Sequence, residues 1–275
     1  MMRPYYYLGD GQALTHLSNG LPFFVNTRDK GISSWIILGG TWENFVDDIL
    51  CGITRPGDRI LDAGANQGYY SVKLGNIIGP QGQLFAFEPN PELFTILENN
   101  ISLNGFQDRA VLFQSALGHQ SGTATLQFSY INMGGGTITR SQMESEHSVD
   151  VAVLRGDDVI PDNVEFDVFK FDIEGSEPNA ALGLVNALSR SKKAAIVVEI
   201  SPKAWSEFGN FDELLLRFTG GFRVGFEIHH DGLMDPLDFA TLSSRKSMFY
   251  ALLLPPDHWA MNFALERCRP NSAGK

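Results

Sequence analysis

Apolar positions in this chain fall into short continuous runs, separated by stretches where they recur at helical spacing. The runs Arg59–Leu61, Leu84–Phe87, Ala110–Gln114, Phe166–Asp172 and Ala194–Ile200 are near-continuous in apolar residues, as strands buried on both faces are. Between them, Tyr69–Ile78, the Leu93, Phe94, Ile96 and Leu97 segment, and Lys203–Phe218 have the period of helices. A further helix is predicted from Gly39–Glu43 to about Ile53, and Phe222–Ile228 and Ser247–Leu254 read as the last strands. Strand and helix alternating in this way predict an α/β protein with one doubly wound, mostly parallel sheet. Residues 1–40 stand apart. Leu17–Leu21 carries an Asn-Gly hairpin turn, Phe23–Val25 follows as a strand, and Ser33–Leu38 reads as another short one. This is an appendage that caps the cleft or mediates self-association into a homo-oligomer, and residues 41–275 form the main domain. Thr123–Phe128 and Val149–Leu154 alternate as extended strands. The glycine-rich Asn132–Arg140 and the polar stretch to Ser148 between them are too long for a hairpin turn. They read as a flap beside the acceptor site or as disorder.

Composition narrows the function classes. The chain has 275 residues, 43% of them hydrophobic, enough for one large core. A formal net charge of −11, with no basic cluster longer than Lys192-Lys193, argues against a nucleic-acid surface or an anionic membrane. Cys51 and Cys268 lie far apart in no metal-ligand spacing, as expected of reduced thiols. The N-terminus lacks the apolar core of a signal peptide and no apolar run approaches a membrane span, so a cytoplasmic protein is expected.

The chemistry starts at Asp62-Ala63-Gly64-Ala65-Asn66-Gln67-Gly68, a tight turn between the first strand and the helix opened by Tyr69. Glycine there lets the backbone approach a ligand closely or adopt positive φ. An acid at the strand end and free N–H groups at the helix start suit an ammonium and a carboxylate together, as at the amino-acid end of S-adenosylmethionine (SAM). Asn66 occupies the place of the second glycine of a dinucleotide fingerprint, which disfavours a nicotinamide oxidoreductase. Glu88, ending the second strand before Pro89 and Asn90, is placed to accept both ribose hydroxyls. Ser115 and Ala116, after the third strand, would meet an adenine edge, and Glu43 either reaches the sulfonium or is a solvated first-turn acid.

Four motifs, DAGANQGYYS (Asp62–Ser71), FEPNP (Phe87–Pro91), NNISLNG (Asn99–Gly105) and KFDIEGSE (Lys170–Glu177), resemble those of the FkbM-type SAM-dependent methyltransferases. The resemblance covers most of residues 40–255. It implies a seven-stranded, Rossmann-like class I sheet whose last strand is antiparallel, and methyl transfer to a hydroxyl oxygen of a sugar or natural product. In such a sheet ligands lie beyond the carboxyl ends of the strands, which gathers Asp172, Glu174 and Glu199 on the acceptor side. Asp172 leads as general base or acceptor aligner, with Glu174 next. Alternatively Lys170 pairs with a neighbouring acid and Glu174 holds the turn by bonding backbone N–H groups. Glu199 with Asp172 would suit Mg²⁺, and His229 or His230 is another base candidate. The acceptor is a small molecule or glycan. A catalytically silent binding module is the alternative, although it would have no need of these acids.

Overall fold

The computed structural model describes residues 3–138 and 147–269. In chain order, β1 (Tyr6–Gly9), β2 (Gln12–His16) and β3 (Pro22–Asn26) form a three-stranded antiparallel sheet, followed by α1 (Ile32–Gly39) and α2 (Asn44–Gly52). Then come β4 (Arg59–Ala63), α3 (Tyr69–Ile78), β5 (Gln83–Phe87), α4 (Pro91–Leu103) and β6 (Ala110–Phe113). A second sheet, in the order β7-β10-β8-β9, is made by β7 (Ala116–Leu117), β8 (Gly122–Ser129), β9 (Asn132–Thr137) and β10 (His147–Leu154). The chain continues through α5 (Gly156–Val159), β11 (Val168–Phe171), α6 (Glu177–Gly183), α7 (Val185–Arg190) and β12 (Ala195–Ile200). It closes with α8 (Pro202–Trp205), α9 (Phe211–Thr219), β13 (Val224–Ile228), β14 (Met234–Pro236), β15 (Phe249–Leu254) and α10 (Met261–Glu266).

The large sheet runs β14-β13-β15-β12-β11-β4-β5-β6, with β15 antiparallel to both its neighbours. It has eight strands, one more than the seven expected, because the short β14 folds back on β13 as an edge hairpin. Strand order reverses between β4 and β11, and a crevice opens at the carboxyl ends of strands at such a reversal. Register puts the polar exceptions on one face. Asp62 pairs with Lys170, Lys170 with Val197, and two residues further along β12 Glu199 pairs with Tyr250. Side chains alternate across a strand, so Asp62, Lys170 and Glu199 point to the same side of an otherwise apolar sheet.

Three expectations are corrected. Ser33–Leu38 is part of the helix α1, because Asp29 accepts hydrogen bonds from the Gly31 and Ser33 amides and so satisfies its first turn. Ile32 and Ile36 are buried one turn apart while Trp35 and Leu38 face outward. The N-terminal hairpin is there with its turn at Leu17–Leu21, but β1 extends it to three strands. Lys203–Phe218 is two helices, separated where Gly209 has positive φ and Asn210 caps α9. Of the expected flap, Asn132–Thr137 is β9, paired with β8; residues 139–146 lie outside the described residues. No helix among the described residues is long and apolar enough to cross a membrane.

The N-terminal sheet is stitched to the rest through Asn100, which is fully buried. Its Oδ1 accepts from Phe24 N at 2.6 Å, and its Nδ2 donates to Phe24 O at 2.9 Å and Gln67 O at 2.8 Å. Asn104 Nδ2 adds a bond to Pro22 O, so the second and third asparagines of the NNISLNG motif both hold β3. Ala13, Leu17, Phe23 and Val25 share one core with Ile60, Val72 and Leu97. Asn100→Ala leaves buried backbone groups on β3 without partners and is expected to cost about 2–4 kcal/mol. Urea denaturation measures it, and a loss under 0.5 kcal/mol, which is about the scale of a surface change, refutes the stitching role.

Candidate active site

The crevice at the strand reversal is an open cleft of about 1090 Å³, solvent-open mouth included. One wall is the turn after β4. Gly64 has φ +80°, and a Cβ there would stand 2.0 Å from Asp172 O, so two strand ends approach through that glycine. Asn66 takes a left-handed φ of 55°, a conformation asparagine tolerates better than most residues, and fills the place of the missing glycine. Glu88 clamps the turn: Oε2 accepts from Asn66 N at 2.8 Å and Oε1 from Asn90 N at 2.7 Å. Each oxygen keeps a further lone pair for a ligand hydroxyl. Burial pushes the Glu88 carboxyl up to about 7 against these stabilising bonds. Within the turn, Gly64 N and Ala65 N bond Phe87 O and Gln67 N bonds Asn66 Oδ1, so these amides are committed to the turn itself. Gly68 does not line the cleft; it caps α3 and packs against Leu97.

Asp62 is also placed differently from expectation. Fully buried, it lies beneath the cleft rather than in it, with Ser71 Oγ donating to Oδ2 at 2.7 Å and Lys170 Nζ forming an ion pair with Oδ1 at 3.1 Å. The sequence offered Lys170 as a partner for a neighbouring acid, and it pairs with two. Its Nζ lies 3.6 Å from Asp172 Oδ2 and donates to Gly64 O at 3.0 Å, with Ala63 O at 3.4 Å. Burial opposes the lysine's charge, yet Asp62 and Asp172 together hold its pKa above the ordinary value.

The other wall is acidic. Glu43, left-handed at φ 40°, accepts from the Tyr70 hydroxyl at 3.2 Å and the Tyr250 hydroxyl at 3.2 Å. Burial and then Asp172 push its carboxyl up to about 7. Glu174, left-handed at φ 56°, stands at the mouth and has no hydrogen-bond partner among the described residues. Glu174 is exposed, yet partial desolvation, and then Asp172, Glu177 and Glu43 nearby, push its carboxyl up to about 8. The turn is held by Glu177, fully buried, which accepts from Ile173 N at 2.9 Å, Gly175 N at 3.2 Å and the Trp205 indole at 2.9 Å. The holding role considered for Glu174 therefore belongs to Glu177, and Glu174 is free to face the cleft. Glu43, Asn66 and Glu174 are three of the four described non-glycine residues with positive φ, and all three line the cleft, where each costs roughly 1–3 kcal/mol of strain.

Glu199 and His230 are not on the cleft lining. Glu199 is buried behind it, and desolvation followed by Asp172 pushes its carboxyl up to about 10, so it is protonated at neutral pH. No group of three or more His, Cys, Asp or Glu among the described residues is placed to hold a metal. The Mg²⁺ expectation finds no support. His230 is exposed with its ring 4.5 Å from that of Phe45, and His229 pairs with Asp235 outside the cleft. Pro89, Asn90, Ser115, Ala116 and Tyr69 do line it, together with Trp42, Tyr70, Tyr250 and Met133, which the sequence did not single out. Tyr70 and Met133 lie within the DAGANQGYYS motif and the flap, whereas Tyr250 is brought in from β15, far along the chain.

The residues present fit SAM. Ser115 Oγ and Asn90 Nδ2 are buried, line the cleft near apolar Leu93 and Leu117, and have no protein partner, as groups awaiting a nucleoside would. The acidic opposite wall suits a cation. The methyltransferase FkbM domain model matches residues 62–228, more than half of the chain. The chain belongs to the FkbM methyltransferase family. Within the FkbM match fall the DAGANQG turn, Glu88 and the KFDIEGSE segment. Curated relatives include the hexuronic acid methyltransferase AglP of Haloferax volcanii, 27% identical over 60% of this chain and 65% of that protein. Methyltransferase 1 of Beauveria bassiana is 27% identical over 52% of this chain and 65% of its own length. The chain thus spans just under two thirds of these relatives. Among solved structures, a SAM-dependent O-methyltransferase of Thermotoga maritima aligns over 90% of this chain and 94% of that one, at 12% identity and TM-score 0.41.

Two outcomes test this geometry. Lys170→Met strands the buried Asp62 and is expected to cost about 3–5 kcal/mol, part of which Asp62→Asn in the same chain restores. Urea denaturation of single and double variants measures this, and a double variant no more stable than the single refutes the pair. The second concerns pH. Glu43, Glu88 and Glu177 are raised to about 7 and Glu174 to about 8 from an ordinary 4.5. Stability from such groups is full below about pH 4.5 and is lost as pH rises through 7–8, because ionisation is harder in the folded state. The melting midpoint of ligand-free protein is expected to fall from pH 5.5 to 8.5, and a cationic ligand is expected to offset the fall. A midpoint that rises over that range refutes it.

Proposed function

We propose that this FkbM-family chain is a SAM-dependent O-methyltransferase acting on a hydroxyl of a sugar, glycoconjugate or natural product. The observation that carries the reading is Glu174, an unpartnered carboxylate at the mouth of a cleft whose far end holds unpartnered donors fit for a nucleoside. When bound, SAM supplies a methyl carbon activated by positively charged sulfur. Asn90 Nδ2 and Ser115 Oγ would hold the adenine end, Glu88 the ribose, and Glu43 with Tyr70 and Tyr250 the cationic end. Asp62 acts through Lys170, which fixes the Gly64 carbonyl on one strand end and Asp172 on the next. Asp172 and Glu174 then face the acceptor. Glu174, with a carboxyl raised to about 8, becomes able to take a proton from an alcohol as the pH rises towards 8. Met133 and Gly134 of β9 line the cleft from the flap side and help exclude water. The name of the AglP relative supports a sugar-type acceptor.

Calorimetry with SAM, followed by transfer of a labelled methyl group to a panel of hydroxylated acceptors, tests the reading. Glu174→Gln is expected to leave cofactor affinity within about threefold and to lower turnover by about 10²–10⁴-fold, the usual contribution of a general base. Unchanged turnover moves the base to Asp172. No SAM binding by the unaltered protein removes the reading.

A further inference from the structure

The charge around the acceptor end carries an inference about what can enter. Glu43, Glu88, Asp172 and Glu174 line the cleft, and among the described lining residues Lys170 is the single cation. That charge is already committed to Asp62 and Asp172. Glu177 and Glu199 stand directly behind, both buried. An independent feature says that a polar ligand belongs here. The Ser176 hydroxyl, 2% exposed, lines the same cleft and has no partner. A hydroxyl can both donate and accept, so it complements an alcohol or an amine.

We infer that the acceptor site takes an uncharged or amine-bearing hydroxyl compound, and turns away one that carries a carboxylate or phosphate beside the reacting hydroxyl. The inference rests on the methyltransferase reading and adds to it the charge class of the substrate. An anionic group would meet Asp172 and the other acids of the wall with no free counter-charge among the described residues, since Lys170 is taken. An ammonium would meet Glu174 and Asp172. Asp172 helps to raise the carboxyls of both Glu43 and Glu174, second to burial in each case, so the acids of this wall act on one another. Specificity of this kind is built by repulsion as much as by contact. It also separates this chain from the AglP relative, whose named substrate, a hexuronic acid, carries a carboxylate.

The test uses the intact protein, labelled SAM and three acceptor pools matched in skeleton: neutral glycosides, aminoglycosides, and uronates with sugar phosphates. Labelling of a neutral or amine-bearing member is expected to exceed that of its acidic counterpart by at least about tenfold, since like charge in such a site is strongly unfavourable. Glu174→Lys is expected to narrow that ratio whatever it does to the overall rate. Preferential labelling of the acidic pool overturns the inference, and so does labelling of no pool by protein that binds SAM calorimetrically. Absence of SAM binding is distinguishable from both, and it removes the methyltransferase reading and this inference together.

Discussion

The structure turns on one ion pair, Lys170 with Asp62, buried where the strand order reverses. A lysine that is 1% exposed is tolerated only if its charge is compensated on several sides, because desolvation of an ion is costly. Here the compensation comes from the two strands that border the reversal. Asp62 and the Ala63 and Gly64 carbonyls belong to β4 and its turn, and Asp172 extends β11. The same ammonium thus fixes the relative height of both strand ends. The glycine turn sits on one side of it and the acceptor-side acids on the other. Neither wall of the cleft can shift along its strand without uncovering a charge.

Much of this layout was legible in the sequence. The continuous apolar runs gave away the central strands, because strands covered on both faces have no polar side to show. The turn residues showed where the chain bends over a ligand. What stayed hidden depended on partners far along the chain. Period-two alternation says that Asp62 points to the face of Lys170, but not that the lysine seals it beneath the cleft. Glu174 and Glu177 lie on one short turn, and only the buried indole of Trp205 decides that the second holds the loop and the first is free. Ser33–Leu38 is apolar enough for either element, and its helical state follows from a cap at Asp29 and from Gln67, whose Nε2 donates to Asp29 and Ser33.

Strain is concentrated where the chemistry is. Glu43, Asn66 and Glu174 hold left-handed backbone on three different segments, and their geometry is kept by hydrogen bonds from outside each segment or by the locked turn beneath. Asn66 is anchored by Glu88, Glu43 by two tyrosine hydroxyls, and Glu174 by the Glu177 bonds that flank it. The backbone under each of these residues is thereby set before any ligand arrives, so little main-chain ordering entropy is left to lose on binding.

The Asn100 stitch has a consequence for the order in which the molecule assembles. β3 leaves the ribosome well before Gln67 and Asn100, on which its docking depends, and its early contacts are confined to its own small sheet. Such non-local pairing must await the later segments. Through that interval the row of tyrosines in β1 and the apolar side of β3 are presented to the surrounding medium, so the nascent chain passes through an adhesive stage that the finished protein conceals only in part.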